Sequence, residues 1–369
     1  MRILFVLSSL SAGGAERFCA NMADYWVGRG WEVTVVTILG ISHDFYGISP
    51  AVKRITMDLG TNSGNLVTAL ANNWKQVRAL RAILRAENPG IALALCDCNN
   101  VLLALAGYGL PNIVAIGSER VHPPRVPLPR MWKILRRSTY GLLDAVVVLA
   151  RETADWVGRN TNAKRIEVIQ NPVIWPLTSQ SPVVPPPRKK GMRLLAAGRL
   201  DAQKQFHLLI QAFSELAREL PEWELVIVGE GPERGMLQDL IRSGSCGDRM
   251  LLAGRVGNIG DWYQTADLFA MTSLFEGFPN TLVEAMAYGI PAVSFDCDAG
   301  PRDIIRHGRD GLLVPPGNMT ELQSSLHSLM SDRAKRSSYA KNALDVRERF
   351  SLQLAMGKWE ALFSSLERA

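Results

Sequence analysis

The 369-residue sequence contains no run of about 18 consecutive apolar residues, which excludes a hydrophobic membrane-spanning helix. The opening MRILFVLSSLSAGGAER has an apolar run of only a few residues before Gly13 and Gly14, too short for the core of a secretory leader. Cysteine is sparse: Cys19, Cys96, Cys98, Cys246 and Cys297 are scattered, and the Cys96-x-Cys98 pair has no second pair or nearby histidine to complete a zinc site. An odd count without a leader predicts buried thiols in a reducing compartment. Acidic residues are absent from 59–86 and from 120–143.

Those two gaps account for the charge. The chain carries a net +6, but residues 1–175 hold 19 Lys/Arg against 12 Asp/Glu, whereas 176–369 hold 22 against 23. The basic excess belongs to the first half. Length and ordinary composition suit two domains, each large enough to bury a core without staples.

RILFVLS (2–8) reads as a buried strand, followed by a Gly-rich turn, a helix over about 15–29 and a strand at 32–38, which is a βαβ unit. Further apolar runs at 91–96, 112–117, 144–150 and 165–170 read as strands of a parallel sheet covered on both faces. Residues 172–190 hold six prolines, and the pattern then restarts at 192–198, 224–230, 249–254, 267–273, 291–296 and 310–315. The expected architecture is α/β: two Rossmann-like, doubly wound domains facing across a cleft. The first spans 1–172 and is joined by an amphipathic C-terminal helix at 351–369; a Pro-rich linker covers 173–191; the second domain spans 192–350. Open α/β sheets bind ligands at the carboxyl ends of their strands, so polar residues just after strands are the candidates.

One such stretch, SLFEGFPNTLVEAMAYGIP (273–291), carries only two charges, Glu276 and Glu284. Pro279 marks a helix start and Gly289-Ile290-Pro291 its end. Glu276 then precedes the helix and Glu284 sits about one turn inside, with the free N–H groups of Asn280, Thr281 and Leu282 between them at the positive end of the helix dipole. Acid, phosphate cradle, acid is a sequence of groups that suits a nucleotide-sugar. The alternative is that Glu276 only caps the helix and Glu284 is a solvated helix residue. Nearby patterns bear on the choice. GRLDAQK (198–204) puts Arg199 and Lys204 after a strand, where cations neutralise a diphosphate. GEGP (229–232) puts Gly229 and Gly231 in a strand-to-helix turn that lets a ligand near the backbone. AGGAER (12–17) does the same after the first strand.

Taken together, these spaced motifs resemble the retaining glycosyltransferases of the GT-B fold, family 4. The family's E-x7-E motif is matched by Glu276 and Glu284, and its G-R-(L/V)-x(3)-K by Gly198, Arg199 and Lys204. VGEGPER and HGRDGLLVPPGN are also family-like, and the resemblance covers nearly the whole chain. It implies that Glu284 holds the nucleotide ribose. Arg199 and Lys204 would hold the diphosphate and stabilise the leaving group. Glu276, with Gly277, Phe278 and the amides that follow, would hold the donor sugar, and Gly13 and Gly14 would let the first domain close over the diphosphate. It implies no cofactor and no metal; Asp296-x-Asp298 is read as loop. GSERVHPP (117–124) resembles an S-E-R-N-D-P stretch found in part of the family, with Val121 and His122 replacing Asn-Asp. His122 is a catalytic candidate there, or only a loop histidine. Glu119 and Arg120 are acceptor candidates, for which a mutual ion pair is the alternative.

The resemblance is nearest to members that build bacterial surface glycans on polyprenyl-diphosphate carriers from UDP-sugars, implying transfer of GalNAc, Gal, Glc or GlcNAc. The charge pattern independently suggests docking on an anionic membrane. Segments 73–85 (Trp74, Val77, Leu80, Leu84 with Lys75, Arg78, Arg81, Arg85) and 128–137 read as basic amphipathic helices with aromatic anchors. Arg81 and Arg85 are further acceptor candidates. The expected location is the inner face of the cytoplasmic membrane, as a peripheral protein. No nucleic-acid motif accompanies the basic patch. The rival enzyme class is a nucleotide-sugar epimerase or hydrolase of the same architecture, which would need catalytic carboxylates and histidines in both domains; this chain has five histidines. A non-catalytic nucleotide-sugar binder is the other alternative.

Overall fold

The computed structural model describes residues 1–11, 13–60, 66–188 and 191–366. Ala12 of the AGGAER turn, 61–65 of the first acid-free stretch, 189–190 of the Pro-rich stretch and 367–369 of the last helix lie outside them. The chain divides into two compact units, 1–171 with 356–369, and 172–355.

The first unit is built on seven parallel strands: β1 (Arg2–Leu7), β2 (Glu32–Thr37), β3 (Lys53–Thr56), β4 (Ile91–Leu95), β5 (Val114–Ser118), β6 (Ala145–Val148) and β7 (Ile166–Val168), in the order β3-β2-β1-β4-β5-β6-β7. Side chains alternate across the sheet, as a strand requires. Leu4 and Val6 enter one core with Val77, Leu80 and Leu84 of α2 (Leu66–Glu87) and Val101 to Ala104 of α3 (Asp97–Gly107). Phe5 points to the other face and stacks on Trp26 of α1 (Gly14–Gly28), which in turn stacks on Trp31. α4 (Arg130–Thr139) and α5 (Arg151–Asn160) complete the connections. β3 went unread in the sequence because KRIT is a four-residue edge strand with no apolar run.

The second unit has six parallel strands: β8 (Met192–Ala197), β9 (Trp223–Val228), β10 (Met250–Gly254), β11 (Leu268–Met271), β12 (Ala292–Phe295) and β13 (Gly311–Val314), in the order β10-β9-β8-β11-β12-β13. Its helices are α6 (Phe206–Leu216), α7 (Arg234–Ser243), α8 (Ile259–Gln264), α9 (Asn280–Ala287), α10 (Pro301–Ile304), α11 (Met319–Ser331), α12 (Arg333–Ala343) and α13 (Val346–Arg349). The strands are short and nearly all Val, Ile, Leu, Phe and Ala because both faces are covered, β11 and β12 being buried throughout. In each sheet the strand order reverses once, between β1 and β4 and between β8 and β11.

The Pro-rich stretch is not a loose connector. Its backbone is held along the second unit: Val173 N donates to Phe350 O, Leu177 N to the Tyr288 hydroxyl, Gln180 N to Gly257 O, and Val184 exchanges both its groups with the Asn258 side chain. Prolines leave few amides to satisfy, and four of the remaining ones find these partners. The last helix, α14 (Leu352–Leu366), carries the chain back to the first unit, where Trp359 and Phe363 pack on Phe18 and Trp26.

Candidate active site

The reversal between β8 and β11 splays the two following loops apart, which is where an open α/β sheet makes room for a ligand. β8 runs out into Gly198 and Arg199, and the chain turns through Lys204 into α6. β11 runs out through Thr272 to Glu276 and into α9. Three bonds stitch these loops together: Thr272 Oγ1 donates to Lys204 O at 2.9 Å, Leu274 N to Gln203 O at 2.8 Å, and Gln203 Nε2 to Phe275 O at 2.8 Å. The stitching sets the two charged side chains face to face. Lys204 Nζ lies 2.5 Å from Glu276 Oε1, with both side chains largely withdrawn from water. Arg199 reaches Asp201 Oδ2 through Nε at 2.5 Å but remains 70% exposed.

Gly229 and Gly231 serve this loop directly. A Cβ on Gly229 (φ +145°) would fall on the carbonyl oxygen of Gly198, and one on Gly231 on that of Leu200. The close approach that requires glycine is therefore made by the chain's own 198–200 segment.

The helix that follows Glu276 is capped by Pro279 and stopped by Gly289 at φ +76°. Two of the three amides expected to be free are used: Asn280 N donates to Phe278 O at 2.9 Å and Leu282 N to Pro279 O at 3.0 Å. A tight first turn consumes them. Phe278 is a core side chain, its ring against Phe350, and Leu282 is buried, so neither offers its side chain to a ligand; Gly277 is buried beside Glu276. Glu284 is 5% exposed and accepts from the Tyr263 hydroxyl at 3.2 Å, which removes the alternative of a solvated helix residue. Tyr263, on α8, was not singled out in the sequence; a lone tyrosine in DWYQTAD carries no pattern that could have found it. The same hydroxyl lies 3.3 Å from Thr281 O.

In the first unit, Gly13 is the extended N-cap of α1 and Gly14 its first residue. Glu119 follows β5 and is buried. It accepts a short hydrogen bond from the Tyr140 hydroxyl, which also receives Asn100 Nδ2 at 3.1 Å, and Arg136 Nη1 stands 4.0 Å away. Burial, against the opposing effects of Tyr140 and Arg136, pushes its carboxyl up to about 7. Arg120 does not pair with Glu119: it donates to Asn171 Oδ1 at 2.6 Å and lies over the Phe18 ring at 3.7 Å, and burial lowers it to about 10. The alternative of a mutual ion pair is thereby overturned, because each finds its own partners on different elements. His122 is buried with Nδ1 3.1 Å from Thr153 Oγ1. Arg81 donates through Nη1 to Ala106 O and Tyr108 O, both at 2.7 Å, at the end of α3; Arg85 is exposed on α2.

Each basic segment turns one side to the core and the other outward. Val77, Leu80 and Leu84 are core, and Arg136 is buried over the Trp156 ring at 4.5 Å. What remains outside is Trp74 (63% exposed) and Ile134 (67%), among exposed Lys75, Arg78, Arg85, Arg130, Lys133 and Arg137. The five cysteines are free thiols; burial pushes Cys98 up to about 12 and Cys19, Cys96 and Cys297 further. Cys96 and Cys98 are only half-buried, unlike the expectation for all five.

Comparison with known proteins follows the division into halves. Residues 12–174 match the model described as Glycosyltransferase Family 4, and 180–346 that of Glycosyl transferases group 1. Over 372 residues and the full length of both proteins, the chain is 26% identical to a Campylobacter jejuni enzyme named for α-1,4-N-acetyl-D-galactosaminyl transfer to a GalNAc-containing diphospho-undecaprenol glycan. It is 34% identical over 227 residues, 61% of this chain, to an exopolysaccharide phosphotransferase of Streptomyces coelicolor, of which it spans about a quarter (24%). Among solved structures, Anabaena HepE in complex with UDP superposes with a TM-score of 0.76 at 20% identity, covering 99% of this chain and all (100%) of that one. Matched by one model in each half, the chain belongs to the glycosyltransferases of the GT-B fold, with a family 4 amino-terminal half and a group 1 carboxyl-terminal half.

Proposed function

We propose that the protein is a retaining, metal-independent glycosyltransferase that moves GalNAc, Gal, Glc or GlcNAc from a UDP-sugar to a polyprenyl-diphosphate-linked glycan. The observation that carries the reading is the convergence of Lys204 and Glu276 from the ends of β8 and β11 at the point where the sheet order reverses, beside the start of α9. Lys204 and Arg199 take the diphosphate and offset the charge that grows on it as it leaves. The α9 dipole adds to them. In this reading the phosphate charge is carried by the chain, and chelation leaves turnover unchanged. Glu276 accepts from the sugar's hydroxyls, and Glu284, held by Tyr263, accepts from the ribose.

Transfer breaks the bond from the anomeric carbon to the diphosphate oxygen and forms one from that carbon to an acceptor oxygen. The acceptor proton passes to the departing phosphate on the same face, which keeps the anomeric configuration and needs no protein nucleophile. UDP is favoured by the nucleotide bound in the Anabaena neighbour, and a lipid-linked acceptor by the substrate named for the Campylobacter relative. Peripheral attachment to the inner face of the cytoplasmic membrane follows from that acceptor and from the exposed Trp74 and Ile134 among cations. No described helix is long and apolar enough to cross a bilayer.

The test is incubation of the full chain with radiolabelled UDP-sugars, with and without a lipid-diphosphate glycan. Label passing into the lipid fraction with an α-configured product supports the reading. Donor consumption that does not depend on the acceptor points to an epimerase or hydrolase, and binding without turnover to a non-catalytic protein.

A further inference from the structure

Both cations assigned to the donor's diphosphate already hold a carboxylate of the chain. Lys204 holds Glu276 and Arg199 holds Asp201, each at 2.5 Å. The two pairs differ in setting. Arg199 is 70% exposed, so water screens its pair, whereas the Lys204 and Glu276 side chains are 17% and 9% exposed. A diphosphate that takes Lys204 strips Glu276 of its counter-ion and sets further negative charge beside it. A buried carboxylate that loses its partner is costly, and like charge adds to the cost. Sugar hydroxyls supply O–H donors that replace the lost contact; a bare nucleotide diphosphate supplies none.

We infer that Glu276 is a specificity residue that separates donor from product. It stands in for the phosphate in the empty site, surrenders Lys204 when the donor arrives, and is compensated only if a sugar is attached. After transfer the sugar is gone, Glu276 reclaims Lys204, and the nucleoside diphosphate is expelled. The inference rests on the donor site proposed above and adds the competition between carboxylate and phosphate for one ammonium group.

The experiment is calorimetric titration of the full chain, without acceptor, with UDP and with the UDP-sugar that supports transfer. Glu276→Gln keeps an acceptor but removes the charge. It is expected to bind UDP about tenfold more tightly than the natural chain and the UDP-sugar about tenfold more weakly, reversing the order of affinities. Glu276→Ala shifts both in the same directions, and the glutamine variant carries the test if the alanine variant does not fold. Asp201→Asn, at the screened pair, tightens UDP by less than about threefold. Unchanged or weaker UDP binding in the Glu276 variants, while Lys204→Met weakens it, overturns the inference and leaves the donor site standing. Equal UDP binding by Lys204→Met and the natural chain overturns the donor site itself.

Discussion

At the scale of single residues, the account separates gripping the nucleotide from driving its departure. Glu284 sits on α9 with its carboxylate held by Tyr263, so its work is to bind. Glu284→Gln is expected to weaken UDP affinity about tenfold or more, the loss of one charge-assisted hydrogen bond, with turnover at saturation nearly kept. Lys204→Ala is expected to do the reverse, lowering turnover about a hundredfold with a smaller effect on affinity, because its contact strengthens as the phosphate leaves. Steady-state kinetics with a UDP titration distinguishes the two. Glu119 gives a prediction of another kind. Its carboxyl is raised from 4.5 to about 7 by burial, so the folded chain holds that proton more tightly than the unfolded one. The stability this contributes is present below about pH 4.5 and is lost as pH rises towards 7. Glu119→Gln, which still accepts from Tyr140, should lack that component of the pH dependence, read as a flatter apparent melting midpoint between those pH values. An unchanged profile would place the proton elsewhere.

At the scale of elements, the sequence was a good guide where apolar runs were long and a poor one where a side chain's partner lay far along the chain. All twelve apolar runs that read as strands are strands with ends shifted by a residue or two, and α9 starts and stops at the Pro279 and Gly289 that announced it. KRIT was missed because its register comes from pairing with β2, not from its composition. The site motifs were legible as spacing, but their partners were not: Tyr263 for Glu284, Gln203 and Thr272 for the stitching of Lys204 to Glu276, and Tyr140, itself held by Asn100, for Glu119 are hydrogen bonds across 21 to 72 positions that no local pattern encodes. The amphipathic segments were ambiguous for a related reason, since an apolar stripe on a helix looks the same whether it faces a bilayer or a sheet. The glycine turn gives the sharpest test at this scale. Gly229→Ala places a methyl on the Gly198 carbonyl at a φ that side chains avoid, and should cost on the order of 2 kcal/mol or more in the second unit's stability, measured by denaturant unfolding. A cost near zero would mean the 198–200 loop is not seated as described.

At the scale of the molecule, charge is divided between the halves of the chain: the first 175 residues carry all of the positive excess. Much of it surrounds two exposed apolar side chains on α2 and α4, Trp74 and Ile134. If this surface meets an anionic bilayer, the full chain should float with phosphatidylglycerol vesicles at low salt and be released at high salt, since each basic residue near such a surface contributes about 1 kcal/mol that ions screen. Trp74→Ala with Ile134→Ser should reduce flotation and leave UDP binding intact; equal flotation with neutral and anionic lipids would exclude the charge-driven mode. The central claim concerns the second unit alone, and a crystal structure of the full chain with UDP tests it most directly. The account predicts the diphosphate at the start of α9 within hydrogen-bond reach, about 3 Å, of Lys204 and Arg199, with the ribose on Glu284. A nucleotide bound away from that edge, or one leaving the Lys204–Glu276 pair untouched, would contradict it.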